Sequence, residues 1–164
     1  MSELRFDGKV AIVTGAGNGL GKAYAILLGS RGAKVVVNDL GQNVKGEGGA
    51  QGKNPADLVV DEIKKNGGQA VANYDSVEFG DKIVKTAVDA FGTVDIIINN
   101  AGNNRPSSLV DLTEQDIDSQ IGVHLKGTLA VSHFAAAYWN EVGVEAHRAI
   151  VNTTSAAGLH PTAG

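Results

Sequence analysis

An open, doubly wound parallel α/β sheet is the fold class this sequence predicts. Three observations carry it. Short β-branched runs alternate with helix-patterned stretches along the 164 residues, the order that specifies parallel βαβ units with helices on both faces. The runs are apolar on both parities, as in Val10–Val13, Val35–Val37 and Ile96–Ile98, which suits strands buried on both sides. The first run also empties into a glycine-dense turn that opens straight into a helix.

Each element follows from local signals. Lys9–Val13 is the first strand, ending at Thr14-Gly15. A helix follows over Gly21–Arg31, with Tyr24, Leu27, Leu28 and Arg31 at helical spacing and Gly32 as its stop. Val35–Val37 is the second strand, closing on Asn38-Asp39. Gly41–Asn54 is too polar and glycine-rich for an element, and longer than the usual connection in such folds, which marks a functional loop. Pro55 sits well as a first helical residue, and Leu58, Val59, Glu62 and Ile63 carry that helix to Gly67-Gly68. Ala70–Asn73 is the third strand. Ile83, Val84, Ala87, Val88 and Phe91 form the stripe of a third helix stopped by Gly92. Asp95–Asn100 is the fourth strand, expected to be the most two-sided in its burial. Thr113-Glu114-Gln115-Asp116 opens a long helix in capping-box style, Thr113 being the N-cap, and the helix runs to about Glu141. Ala149–Asn152 is the fifth strand, followed by Thr153-Thr154-Ser155. Residues 1–164 read as one domain, with neither repeat nor linker.

Composition narrows the function classes. The formal net charge is −4 and no stretch is strongly basic, which argues against nucleic acid and anionic membranes as partners. Cysteine is absent, so disulfides, thiolate metal sites and cysteine nucleophiles are excluded within this sequence. His133, His147 and His160 lack ligand spacing, and no metal site is expected. The start has no apolar signal region, and no run approaches the roughly 18 apolar residues of a membrane span. The cytoplasm is therefore the expected compartment. Glycine is the oddity, 22 of 164, about twice the usual fraction.

Those glycines are placed. Thr14-Gly15-Ala16-Gly17-Asn18-Gly19-Leu20-Gly21 lies between first strand and first helix. A dinucleotide needs glycine there for a tight turn, for backbone approach to its pyrophosphate and for close helix–strand packing. The anion then rests on the helix N-terminus. Gly15, Asn18, Gly19, Leu20 and Gly21 are the candidate contacts. Asp39 ends the second strand about twenty residues downstream, where an acid can hold a ribose 2′-hydroxyl; a solvated loop acid is the bland alternative. A 2′-phosphate about 5 Å from Asp39 would meet roughly 3 kcal/mol of repulsion per unit charge at an effective dielectric near 20. NAD is thus the expected cofactor, in preference to NADP, on a Rossmann-like fold.

With TGxxxGxG at Thr14–Gly21, NNAG at Asn99–Gly102 and a serine preceded by Thr-Thr after the fifth strand, the sequence resembles the short-chain dehydrogenase/reductase family. The segments VVVNDLG and AVANYDSV and the glycine-rich insertion resemble, more narrowly, the (3R)-hydroxyacyl-CoA dehydrogenase parts of multifunctional peroxisomal enzymes. The resemblance implies that Asp75 meets the adenine amino group with Ser76 and Val77 beside the ring. It implies that Asn100, Ala101 and Gly102 flank the nicotinamide-side ribose, and that Ser155 holds the substrate oxygen. Ser155 also draws notice unaided, because open α/β sheets bind ligands at the carboxyl ends of their strands; an ordinary turn serine is the alternative. Where family members often carry a relay asparagine, this sequence has His124. His124 is a candidate to hold a relay water, or is simply packed or solvated.

Family chemistry uses a tyrosine as acid/base with a lysine four residues on. None of Tyr24, Tyr74 and Tyr138 has that lysine, and the pair is expected about a dozen residues beyond Ser155, past Gly164. The sequence is therefore read as an incomplete Rossmann domain lacking its C-terminal part. The fifth strand is then expected to be an exposed apolar edge. The implied function is NAD-dependent hydride transfer to or from a secondary alcohol, of the 3-hydroxyacyl thioester or hydroxysteroid class. The alternative is a non-catalytic NAD-binding module. The implied partners are a small-molecule substrate and, for a longer chain, further copies of itself in a dimer or tetramer. The narrower resemblance makes the peroxisomal matrix the alternative compartment.

Overall fold

The computed structural model describes residues 4–43, 45–47, 52–143, 147–158 and 160. Part of the predicted Gly41–Asn54 loop and most of the tail after Gly158 lie outside the described residues. Five strands, β1 (Val10–Thr14), β2 (Lys34–Asn38), β3 (Gln69–Asn73), β4 (Ile96–Asn99) and β5 (Ala149–Asn152), form one sheet. Their order is β3-β2-β1-β4-β5 and all pairs are parallel. The order reverses at β1, so the connections after β1 and β4 diverge there and open a crevice at the strands' carboxyl ends. The doubly wound α/β prediction holds.

One face of the sheet packs on α1 (Gly19–Ser30) and α2 (Pro55–Lys65). Ala11, Val13, Val35 and Val37 meet Ala25, Leu28, Val59 and Ile63 there. The other face packs on α3 (Gly80–Phe91) and the long helix, where Val10, Ile12, Val36 and Ile97 meet Ile83, Val131 and Trp139. One expectation needs correction. β1 is the fully two-sided strand, buried at all five residues, whereas in β4 only Ile97 and Asn99 are buried and Ile96 and Ile98 are half-exposed. The α1–α2 layer lies over β1 and β2 and covers β4 less completely. The buried face of α1 leaves Leu27 exposed. It runs through Gly21, Ala25, Leu28 and Gly29. Small residues win because the helix lies close: a Cβ on Gly29 would stand 2.9 Å from Ile63 Cγ2.

The predicted long helix is continuous but changes pitch. It begins as α4 (Glu114–Gln120), widens into a π-helical segment (Ile121–Gly127) and resumes as α5 (Thr128–Val142). Thr113 is the N-cap, exchanging hydrogen bonds with Asp116 in a capping box as expected. The wide segment lies where glycines bring helix backbone onto the chain after β3. A Cβ on Gly127 would fall 2.3 Å from Val77 Cγ2, and one on Gly122 would fall 3.2 Å from Glu78. Such wide turns gather at functional sites.

At the amino end of the sheet, buried Asp95 accepts from the Val10 amide at 2.9 Å and from Arg148 Nη1 at 2.8 Å. Arg148 also bonds the Val94 carbonyl and lies over Trp139. This clamp fixes the start of β5, whose own four residues are all exposed. Among the described residues no helix is long and apolar enough to cross a membrane. Nor, among them, do three or more His, Asp or Glu side chains gather to hold a metal.

Candidate cofactor cleft

A cleft of about 510 Å³ opens above the carboxyl ends of β1, β2 and β4, within the range of small-molecule sites. Its floor is the glycine turn. Gly15 has φ +59° and sits so near the β4 connection that a Cβ would stand 2.8 Å from Ala101 Cα. Asn18 takes the N-cap position of α1, yet its side chain makes no capping bond and the first turn carries no acid. The helix start borders the cleft through Asn18 and Gly19, beside Gly15, and helix geometry leaves first-turn amides unsatisfied there, with the positive end of the dipole behind them. That arrangement fits a pyrophosphate.

Asp39 closes one end. Its Oδ2 accepts from the Gly17 amide at 2.8 Å and its Oδ1 from the Gly41 amide at 2.7 Å. The carboxylate is thereby fixed at the border of the cleft, with lone pairs left for a ribose hydroxyl. Asp75 and Val77 border the cleft beyond it. The Asp75 segment rests on a buried amide network that the sequence reading did not single out. Asn38 Nδ2 donates to Asn73 Oδ1 and to the Asp75 carbonyl, both at 2.8 Å, and Asn73 Nδ2 donates to Asp75 Oδ2 at 2.9 Å. The available signal was an asparagine ending each of two neighbouring strands, paired in register.

The opposite end is stapled through Thr14. Its buried hydroxyl accepts from the Asn100 and Ala101 amides at 3.0 Å each. Asn100 Nδ2 donates back to the Thr14 and Gly15 carbonyls at 3.0 and 3.1 Å. Asn100, Ala101 and Gly102 all border the cleft. The structure thus brings Gly15, Asn18, Gly19, Asp39, Asp75, Val77, Asn100, Ala101 and Gly102 together.

Other candidates lie elsewhere. Leu20 is 63% exposed on α1. Gly21 faces inward, where a Cβ would collide at 2.3 Å with the Gly15 carbonyl oxygen, so its place is helix–turn packing. Ser76 Oγ accepts from the Glu78 amide in the turn before α3. His124, in the π segment, is exposed, its Nε2 2.8 Å from the Asn103 carbonyl oxygen and 3.2 Å from the Asn103 amide. Ser155 is exposed in the turn after β5 and does not border the cleft. Residues that were not individual candidates border it too: Asn38 and Leu40, then Gln42, Asn43 and Gly46 of the insertion, with Asn103 and Val123.

Residues 9–164 match the profile of the short chain dehydrogenases. The chain belongs to that family. It is 53% identical over 157 residues to a peroxisomal hydratase-dehydrogenase-epimerase of Neurospora crassa, covering 96% of this chain and 17% of that protein. It is 48% identical over 163 residues to the peroxisomal multifunctional enzyme type 2 of Mus musculus, covering 99% of this chain and 22% of that protein. Among solved structures it superimposes on a 7α-hydroxysteroid dehydrogenase complexed with NADH and 7-oxo glycochenodeoxycholic acid. The TM-score is 0.81 at 32% identity, over 97% of this chain and 58% of that one. The chain thus spans about a fifth of the length of each of these two relatives. The narrower resemblance read from the sequence is borne out.

Proposed function

We propose that this short chain dehydrogenase binds NAD in the cleft. In a form that includes the family's tyrosine–lysine pair, it transfers a hydride between a secondary alcohol or ketone and that cofactor. The observation that carries the reading is the uncapped α1 N-terminus facing a fixed Asp39. One end suits an anion, and the other suits an unphosphorylated ribose. Bound NAD supplies the hydride acceptor or donor. The chain's own residues do the rest: the glycine turn receives the pyrophosphate, Asp39 the adenosine ribose, Asp75 and Val77 the adenine, and Asn100 to Gly102 the nicotinamide-side ribose. The NADH-bound steroid dehydrogenase supports the choice of a nicotinamide cofactor.

His124 is assigned a relay water and Ser155 the substrate oxygen. For His124 the support is its contact with Asn103 at the border of the cleft; for Ser155 it is family position. Leu20, Gly21 and Ser76 act in this reading through the backbone they shape. The leading substrate class is a 3-hydroxyacyl thioester, with hydroxysteroids second. Ile121, Leu125 and Leu129, exposed on the long helix, support assembly with further copies. The names of the relatives favour the peroxisomal matrix over the cytoplasm.

Titration with NADH and NADPH tests the cofactor, the expected result being binding of NADH and poor binding of NADPH. Formation of NADH at 340 nm from 3-hydroxyacyl thioesters tests the reaction. Binding without turnover of either substrate class would reduce the protein to an NAD-binding module.

A further inference from the structure

The glycine-rich insertion after β2 is the feature the proposed function leaves unused. Between Asn43 and Glu47 it closes on itself. The Asn43 amide donates to the Glu47 carbonyl at 3.0 Å, the Gly46 amide donates to the Asn43 carbonyl at 2.9 Å, and Asn43 Oδ1 accepts from the Lys45 and Glu47 amides at 2.9 and 3.1 Å. This knot of Asn43, Lys45, Gly46 and Glu47 holds itself together. It docks across the cleft against the loop after β4: Arg105 Nε donates to the Lys45 carbonyl at 2.8 Å, sixty residues away in sequence. The other arm of the guanidinium, Nη1, bonds Asp116 at 3.1 Å, and Asp116 is fixed by the Thr113 capping box. The Arg105 side chain is only 12% exposed.

Behind this turn lies a second cavity of about 780 Å³, which Gly46 and Arg105 both border. Gly46 borders the cofactor cleft as well. A wall with open space behind it is held by its polar ties, not by close packing, so the planar Arg105 fork sets where it stands. Beside it Asn103 borders the cleft with Nδ2 on Ser119 Oγ at 2.8 Å, while its buried Oδ1 has no partner among the described residues. A buried acceptor without a donor is costly, and a ligand hydroxyl or amide arriving there would relieve it.

We propose that Arg105 is a positioning residue that docks Lys45, Gly46 and Glu47 as the outer wall of the dinucleotide site, so that these residues retain the bound cofactor. The proposal rests on the NAD-binding reading above. The wall joins the β2 side to the β4 side, so the proposal predicts that it holds a whole dinucleotide and not adenosine monophosphate, which occupies the Asp39 and Val77 end alone in this reading.

The test is release of NADH by stopped flow from the full chain, in wild type, Arg105→Met and Arg105→Lys, beside the affinity of each for adenosine monophosphate. The lysine variant keeps a cation for Asp116, and so the helix start, but one ammonium cannot reproduce the two-armed tie. The expected result is NADH release about tenfold faster in both variants, with affinity for adenosine monophosphate unchanged. Unchanged NADH release overturns the proposal. Equal weakening of both ligands also overturns it, since Arg105 would then only support the fold. Failure of the wild type to bind NADH overturns the cofactor reading itself, which no result on the variants would do.

Discussion

At the scale of single residues, Asp39 carries the most specific consequence. Its carboxylate bonds both the Gly17 and Gly41 amides, so it is an oriented negative charge. A 2′-phosphate about 5 Å away loses roughly 3 kcal/mol against a hydroxyl there, about a hundredfold in affinity. Asp39→Asn keeps the shape and removes the charge. The expected outcome is a preference for NADH over NADPH that falls at least about tenfold, read by fluorescence titration with both cofactors. An unchanged ratio would refute the role of Asp39. Residues of this kind were legible because a motif fixes their position: a strand, glycines, and an acid at the next strand's end. Asn103, Arg105 and the Asn38–Asn73 pair were not. They work through partners far away in the chain, and an isolated polar residue in a loop carries no period that could announce it. Nor did spacing alone show which face of α1 is buried: Gly21 and Gly29 leave no room for a Cβ beside the Gly15 carbonyl and Ile63, and Ala25 and Leu28 complete that face.

Among elements, the caps and clamps decide. Asp116 sits in the first turn of α4 with its carboxyl held below the ordinary value of 3.8, chiefly by the Thr113 hydroxyl and then by Arg105. A carboxylate with a depressed folded value contributes stability that is present above its unfolded value and lost as pH falls through the folded one. The α4 start is therefore expected to loosen below about pH 4, with amide hydrogen exchange in Glu114–Gln120 rising relative to α3. Thr113→Ala removes the other half of the box and should cost about 1 kcal/mol. The Asp95–Arg148 clamp is the larger effect. Both side chains are nearly buried, and Asp95→Ala strands the guanidinium beneath β5 with the Val10 amide unpaired. A loss of about 3 kcal/mol in denaturant unfolding is expected, and less than about 1 kcal/mol would show that the clamp is solvated. Element types and order were readable from periodicity. The π segment was not, because its cause is tertiary: Gly122 and Gly127 seated on Glu78 and Val77.

For the whole molecule, the uneven cover of the sheet matters most. The α1–α2 layer and the α3–α5 layer enclose β1 to β3, and the cover thins through β4 until β5 is exposed along its length. Ile150 and Val151 are 38% and 51% exposed, on a strand paired through β4 alone among the described residues. An unprotected apolar strand edge recruits other strands. The 164-residue chain by itself should therefore self-associate with rising concentration, visible in light scattering at neutral pH. Val151→Lys places a charge on that strand, and a charge there opposes edge-to-edge pairing. The substitution leaves the cofactor cleft untouched, since no residue of β5 borders it. It is expected to suppress the scattering while NADH affinity stays the same. If scattering persists in Val151→Lys and instead falls in Leu125→Arg, association runs through the long helix, where Leu125 and Leu129 are 58% and 60% exposed. The two surfaces lie on different elements, so the pair of variants assigns self-association to one of them.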